Sequence, residues 1–155
     1  MGYSMSDDEI LTAASKIAEK RLKRISSPIT SVELAKDETC LYLSHLIGHG
    51  HAEQFLALWL DNHHATIAVD ILFSGTNNAT NVYPREVVRR ALDVNSAAVI
   101  LAHNHPAGDV NPSEFDIAIT NEMKKCMQVI DCRLLDNIIV AGNGITYSFA
   151  ENNLI

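Results

Sequence analysis

The chain has 155 residues, which is enough for one domain with a sizeable hydrophobic core. Twelve basic against nineteen acidic side chains give a formal net charge of −7, so most of the surface should repel nucleic acid and anionic lipid. Three cysteines without C-x-x-C spacing are poor material for a disulfide framework. An acidic N-terminus and the lack of a long apolar run give no sign of export or membrane insertion. We therefore expect a cytoplasmic protein with no membrane partner.

The first fifty residues carry two helical patterns. Apolar residues recur with a 3.6-residue period over residues 7–25, with acidic side chains at the start and basic ones at the end. A second helix is predicted from a cap at Ser31 to Ile47, where the Gly48-His49-Gly50-His51 run ends it. We expect residues 1–50 to form a helical extension and residues 51–155 to form the main domain.

Short apolar runs dominate the next part of the chain. Residues 53–60 and 65–73 are predicted to form a hairpin, and Pro84 suits the first turn of a helix that buries Val87, Val88, Ala91 and Leu92. Residues 97–102 form a continuous apolar run of strand length, which indicates a fully covered central strand.

The chain closes with one more helix and two strands. A helix is predicted over residues 113–127, followed by strands over 134–140 and 146–149 around a Gly142-Asn143-Gly144 turn. The order predicts one mixed α/β domain.

Two histidines at the end of the predicted central strand are the most informative residues. His103 and His105 have the i, i+2 spacing that points side chains of an extended chain to the same face. A loop with Pro106, Gly108 and Pro112 then leads into a helix whose first turn presents Ser113 and Asp116 toward the same place.

Two imidazoles and one carboxylate are ligands of the kind that catalytic Zn²⁺ uses, with a fourth position left for water. Each part has a plainer interpretation when taken alone. An H-x-H pair is most often two unrelated histidines, as we interpret His49 and His51, and Ser113-x-x-Asp116 resembles a helix capping box. The combination favours a zinc site, since a metal satisfies His103, His105 and Asp116 together.

The pattern resembles the JAMM, or MPN-plus, metalloprotease motif, in which an upstream Glu precedes H-x-H-P, with Ser eight and Asp eleven residues beyond the second His. Further segments are similar to the bacterial RadC-like family, historically labelled as DNA repair proteins. The similar segments are Phe73-Ser74-Gly75-Thr76, Pro84-Arg85-Glu86-Val87, His103-Asn104-His105-Pro106-Ala107-Gly108 and Pro112-Ser113.

This resemblance implies a single MPN/JAB domain with a cytidine-deaminase-like α/β fold, a mixed sheet flanked by helices. It implies that His103, His105 and Asp116 bind Zn²⁺ and that Ser113 helps to stabilise the oxyanion. The family's glutamate lies two residues before a phenylalanine on the first core strand, so Glu53 corresponds to the general base. From the residues alone, Glu53 reads as an ordinary residue at a strand start.

Two features depart from the pattern of the family. Many RadC-like proteins carry Asp-His in the late strand where this chain has Asp136-Asn137. Residues 1–50 also show no Gly-rich helix-hairpin-helix pattern, so the chain resembles the short, mobile-element type of the family.

The function implied is zinc-dependent hydrolysis of a peptide or isopeptide substrate. The alternative is a DNA repair or recombination factor, motivated by the family label and by a basic cluster on the first helix: Lys16, Lys20, Arg21, Lys23 and Arg24. The net charge favours a solvated helix face for this cluster. A non-catalytic interaction module would be expected to lose metal ligands, and this chain keeps all three.

Overall fold

The computed structural model describes residues 6–10, 12–13, 16–17, 32–75 and 82–155, and for residues 32–38 it describes the backbone only. Within the first predicted helix, the described residues 7–10, 12–13 and 16–17 are helical. The rest of that helix and the cap predicted at Ser31 lie outside the described residues. None of the described helices is long and apolar enough to cross a membrane.

A mixed five-stranded sheet forms the centre of the domain, with strand order β2-β1-β3-β4-β5. The elements in chain order are α1 (Val32–Ile47), β1 (Glu53–Leu60), β2 (Thr66–Gly75), α2 (Pro84–Asp93), β3 (Ala98–His105), α3 (Glu114–Val129), β4 (Arg133–Ala141) and β5 (Thr146–Ser148). This is the mixed α/β sheet with flanking helices that the sequence predicted, and β3 is its central strand as expected.

Strand pairing sets which ends of the sheet meet. β1 runs antiparallel to both β2 and β3, whereas β3 and β4 run parallel and are joined through α3. The carboxyl ends of β3 and β4 therefore lie side by side, with His105 opposite Ala141. The start of β1 reaches the same edge, because Phe55 pairs with His103.

Both faces of the sheet are covered, since each carries its own hydrophobic cluster. One face packs against α2 and α3, with Phe55, Trp59, Leu101, Met123 and Met127 at its centre. The other face packs against α1 through Leu43 and Ile47. Alternation along β3 sends His103 and Leu101 to the first face and Ala102 to the second, in the pattern expected of a covered strand.

Helix α2 begins as predicted, with Pro84 in its first turn, but one of its predicted core residues is misplaced. Val87 and Ala91 are buried, while Leu92 has 59% of its surface exposed. The ten residues of α2 form fewer than three helical turns, so few of its positions face the sheet. Leu92 thus lies beyond the narrow arc that Val87 and Ala91 define, and its assignment to the core was wrong.

Candidate metal centre at the carboxyl edge of the sheet

The end of β3 presents alternate side chains to opposite faces. His103 and His105 face the α3 side, and their ring centroids are 5.0 Å apart. Asn104 lies between them in the chain and points to the α1 side, where it is 1% exposed. The extended backbone of the strand thus separates two imidazoles from one amide, as the i, i+2 spacing predicted.

The start of α3 supplies the carboxylate. Ser113 is the N-cap, and its hydroxyl accepts a hydrogen bond from the Asp116 backbone N–H at 3.1 Å. In return, Asp116 Oδ2 accepts hydrogen bonds from the Ser113 N–H at 2.7 Å and from the Ser113 hydroxyl at 2.8 Å. The capping box and the placement of Asp116 toward the histidines, which the sequence offered as two interpretations, therefore coexist.

Three potential ligand atoms from His103, His105 and Asp116 all lie within 4.8 Å of one another. His103 Nε2 is 3.1 Å from Asp116 Oδ1, and His105 Nε2 is 3.4 Å from Asp116 Oδ2. His103 and Asp116 are only 4% and 5% exposed. Among the described residues this is the one group of His, Cys, Asp and Glu side chains close enough to hold a metal ion.

The tautomer of His105 is fixed by the loop that follows it. Its Nδ1 lies 2.7 Å from the carbonyl oxygen of Asp109, and a carbonyl can only accept, so Nδ1 carries the proton in the neutral ring. Nε2 then presents a lone pair toward the Asp116 carboxylate, which is also an acceptor. Two acceptors that face each other require a proton or a cation between them, and a metal ion meets that need.

His103 is held by packing. Its ring lies nearly parallel to that of Phe55, with centroids 5.8 Å apart, and the contact from its Nε2 to Asp116 lacks hydrogen-bond geometry. Both ring nitrogens are buried without a hydrogen-bond partner in the described part of the chain. A buried imidazole in this state is costly unless a ligand satisfies it, so the residues present fit a metal.

The electrostatics of the cluster keep the carboxylate charged. Burial alone raises the pKa of Asp116, but the imidazoles of His103 and His105 and the Ser113 N–H lower it more, leaving it far below its usual range. The pKa of His105 is raised, mainly by Asp116 and against the effect of burial. An anionic site of this kind attracts cations.

Glu53, the predicted base, is the first residue of β1 and is partly buried. It lies two positions before Phe55, on the face of the sheet that carries the histidines. Its charge makes the smallest of the contributions that raise the pKa of His105, behind the larger effect of Asp116.

Asn104 fixes the segment that carries Glu53. Its Oδ1 accepts a hydrogen bond from the Gln54 N–H at 2.6 Å, and its Nδ2 donates to the carbonyl of Ala52 at 3.0 Å and, more weakly, to that of Gly50 at 3.4 Å. Residues on both sides of Glu53 are therefore tied to the residue between the two histidines.

Several contributors to the site were not predicted from the sequence to take part in it. They are Phe55 against His103, the Asp109 carbonyl on His105, the amide of Asn104, and Thr120 and Asn137 behind Asp116. The Gly108 turn gave a signal for the loop, since its φ of 88° suits glycine and its N–H bonds to the His105 carbonyl. The other contributions depend on strand register.

Other sequence candidates lie elsewhere. His49 is exposed after α1, and neither it nor His51 joins the cluster. A cavity of about 500 Å³ lies on the α1 face, between the end of α1 and the β4–β5 turn, and none of the three cluster residues lines it. Of the predicted basic cluster, Lys16 is described and exposed, and the remaining members lie outside the described residues.

The fold and the cluster define a JAB-type α/β domain in which two histidines and one aspartate could hold a metal ion. The sequence profile described as "RadC-like JAB domain" matches residues 33–154. The chain belongs to this family.

Curated relatives carry the designation UPF0758. The UPF0758 protein YkfG of Escherichia coli (strain K12) is 40% identical over 149 residues, which is 96% of this chain and 91% of that protein. The UPF0758 protein YfjY of the same strain is 42% identical over 139 residues. The UPF0758 protein Smlt0399 of Stenotrophomonas maltophilia (strain K279a) is 54% identical over 114 residues, and the match spans only 48% of its length.

Proposed function

We propose that this domain is a zinc-dependent hydrolase that cleaves peptide or isopeptide amide bonds, with His103, His105 and Asp116 as the metal ligands. The observation that supports it most is the convergence of two imidazoles and a carboxylate within 4.8 Å at one sheet edge. Membership of the JAB family adds weight, because JAMM-type domains carry the same ligand set.

Zinc is the ion best suited to this ligand set. Two histidines and one aspartate match catalytic zinc sites, whereas Mg²⁺ and Ca²⁺ prefer oxygen ligands alone. When bound, Zn²⁺ would lower the pKa of a water to about 7 and polarise a substrate carbonyl.

Glu53 and Ser113 are assigned the remaining roles in the proposed reaction. Glu53 takes a proton from the attacking water and passes it to the leaving amine, which converts a poor leaving group into a neutral one. Ser113 holds the Asp116 carboxylate through two hydrogen bonds. Its action on the oxyanion stays a prediction, and for that role its hydroxyl would have to turn from Asp116 toward the substrate.

Metal analysis tests the ligand assignment. Wild-type protein dialysed against zinc should retain about one equivalent, and the His103→Ala/His105→Ala double variant should retain almost none. An Asn152→Ala variant, altered at an exposed residue outside the cluster, serves as the control for zinc lost during preparation. Equal zinc content in the wild type and the double variant would refute the assignment of His103 and His105 as metal ligands.

Turnover tests the base. Glu53→Gln should retain zinc and lose a factor of about 10² to 10⁴ in the cleavage rate of a peptide library. Glu122→Gln makes the same chemical change on the exposed surface of α3 and should leave the rate unchanged. A Glu53→Gln variant that keeps both zinc and full activity would exclude Glu53 from catalysis.

The rival proposal, a DNA-associated repair or recombination factor, can be tested in parallel. Tight binding to duplex DNA that weakens steeply with salt would favour it.

A further inference from the structure

A buried chain of hydrogen bonds lies directly behind Asp116. The Asn137 side-chain amide on β4 donates to the hydroxyl of Thr120 on α3 at 2.7 Å, and that hydroxyl donates to the backbone carbonyl of Asp116 at 2.6 Å. The three residues are 0%, 1% and 5% exposed. These buried hydrogen bonds thus join β4 to the backbone of Asp116, a candidate metal ligand.

The direction of these bonds follows from the groups involved. A carbonyl can only accept, so the single proton of the Thr120 hydroxyl goes to Asp116, and the hydroxyl oxygen must accept from Asn137. In the described part of the chain the Asn137 amide oxygen has no hydrogen-bond partner, so the bond to Thr120 is what orients this amide. A buried amide that leaves its oxygen unsatisfied contributes little to stability, which favours a positioning role.

The location of Asn137 strengthens that conclusion. It pairs with Leu101 across the β3–β4 ladder, two residues before His103, and its side chain points to the same face as the histidine. The strand that holds the imidazoles and the helix turn that holds the carboxylate are therefore linked through a single neighbouring strand.

We propose that Asn137 and Thr120 are positioning residues for the metal centre. They set the height of the first turn of α3 above the sheet, and with it the distance from the Asp116 carboxylate to the two imidazoles. The inference rests on the proposed metal site.

Zinc affinity, measured by competition with a chromophoric chelator, tests this without a substrate. Thr120→Val keeps the side-chain shape and removes the hydroxyl, and Asn137→Leu removes the donor. Each should weaken zinc binding about 10- to 100-fold, the usual effect of losing a group that orients a metal ligand. Thr120→Ser restores the hydroxyl and should bind zinc nearly as the wild type does. The double variant should be no weaker than the worse single variant, because both act through one chain of bonds.

Ser148→Ala is the matched control. Ser148 donates a buried hydrogen bond to Asp136, the neighbour of Asn137 on β4, but on the opposite face of the sheet. It should lower the melting temperature and leave zinc affinity unchanged. Melting curves identify the folded variants, and Thr120→Val carries the test alone if Asn137→Leu does not fold.

Three results would overturn the inference, and they distinguish it from the proposed function. Wild-type affinity in folded Thr120→Val, or an equal loss in Ser148→Ala, would refute the positioning role and leave the metal site intact. Failure of the wild-type protein to bind zinc would refute the proposed function and this inference together.

Discussion

Replacing Asn104 by alanine should destabilise the fold, because its buried side chain makes three hydrogen bonds to the segment before and within β1. The bonds to Gln54 N and to the Ala52 carbonyl, at 2.6 and 3.0 Å, are good ones, and the bond to the Gly50 carbonyl at 3.4 Å is weak. At about 1 kcal/mol for each good bond, plus part of the cost of an unsatisfied buried N–H, the loss comes to about 2–3 kcal/mol. For a chain of this size each kcal/mol lowers the melting temperature by roughly 2–4 °C, so Asn104→Ala should melt about 4–12 °C lower.

Thermal unfolding followed by circular dichroism measures the shift, and hydrogen exchange locates it. The Gln54 amide should exchange faster in Asn104→Ala, while amides in the middle of β4 should change only by the global loss of stability. Asn152→Ala removes one hydrogen bond, from its Nδ2 to the Ser148 carbonyl, at an exposed residue and should shift the melting temperature much less. If Asn104→Ala has the melting temperature of the wild type, the start of β1 is held by other contacts and the prediction is wrong.

Three further predictions concern pH and packing. Zinc binding should weaken at acid pH, since histidines coordinate only when neutral and the pKa of His105 is raised, and equal zinc content at about pH 5 and about pH 7.5 would contradict this. In the metal-free protein the raised pKa of His105 gives folding stability the opposite pH dependence. The protonated group adds stability below its unfolded pKa of about 6.5, and this stability is lost as the pH rises through the folded pKa. The free energies of unfolding of chelator-treated wild type and of His105→Gln should therefore approach each other as the pH rises above about 6.5, and a gap that widens with rising pH would contradict this prediction. Asp70→Leu should cost about 1–3 kcal/mol in urea denaturation, because the buried Trp59 Nε1–H would lose its 2.7 Å acceptor, whereas Asp70→Asn keeps an acceptor and should cost less.

Hydrophobic periodicity accounts for most of the elements that the sequence predicted. The strand predicted over 53–60 has those bounds in the structure, and the later strands and α3 differ from their predictions by a few residues at their ends. The predicted strand over 97–102 is observed as Ala98–His105. It extends further because strand pairing with β4 continues through polar residues that carry no hydrophobic signal.

The residues of the cluster were accessible from the sequence because they are local. His103 and His105 share a strand face, and Ser113 and Asp116 share a helix turn, so short-range geometry places each pair. Phe55, Thr120 and Asn137 reach the site through strand register and helix packing across distant parts of the chain. Register is a tertiary property, and no single segment encodes it.

The capping box has a consequence for how the site would capture an ion. Because Ser113 holds Asp116 Oδ2 in the folded chain, the carboxylate has lost its rotational freedom before any cation arrives. The Asp109 carbonyl restrains His105 in the same way. Preorganisation of this kind shifts the entropic cost of assembling a coordination sphere from the moment of capture to the folding of the chain. The metal-free domain should therefore hold the Asp116 carboxylate and the His105 imidazole in the orientations that metal binding requires.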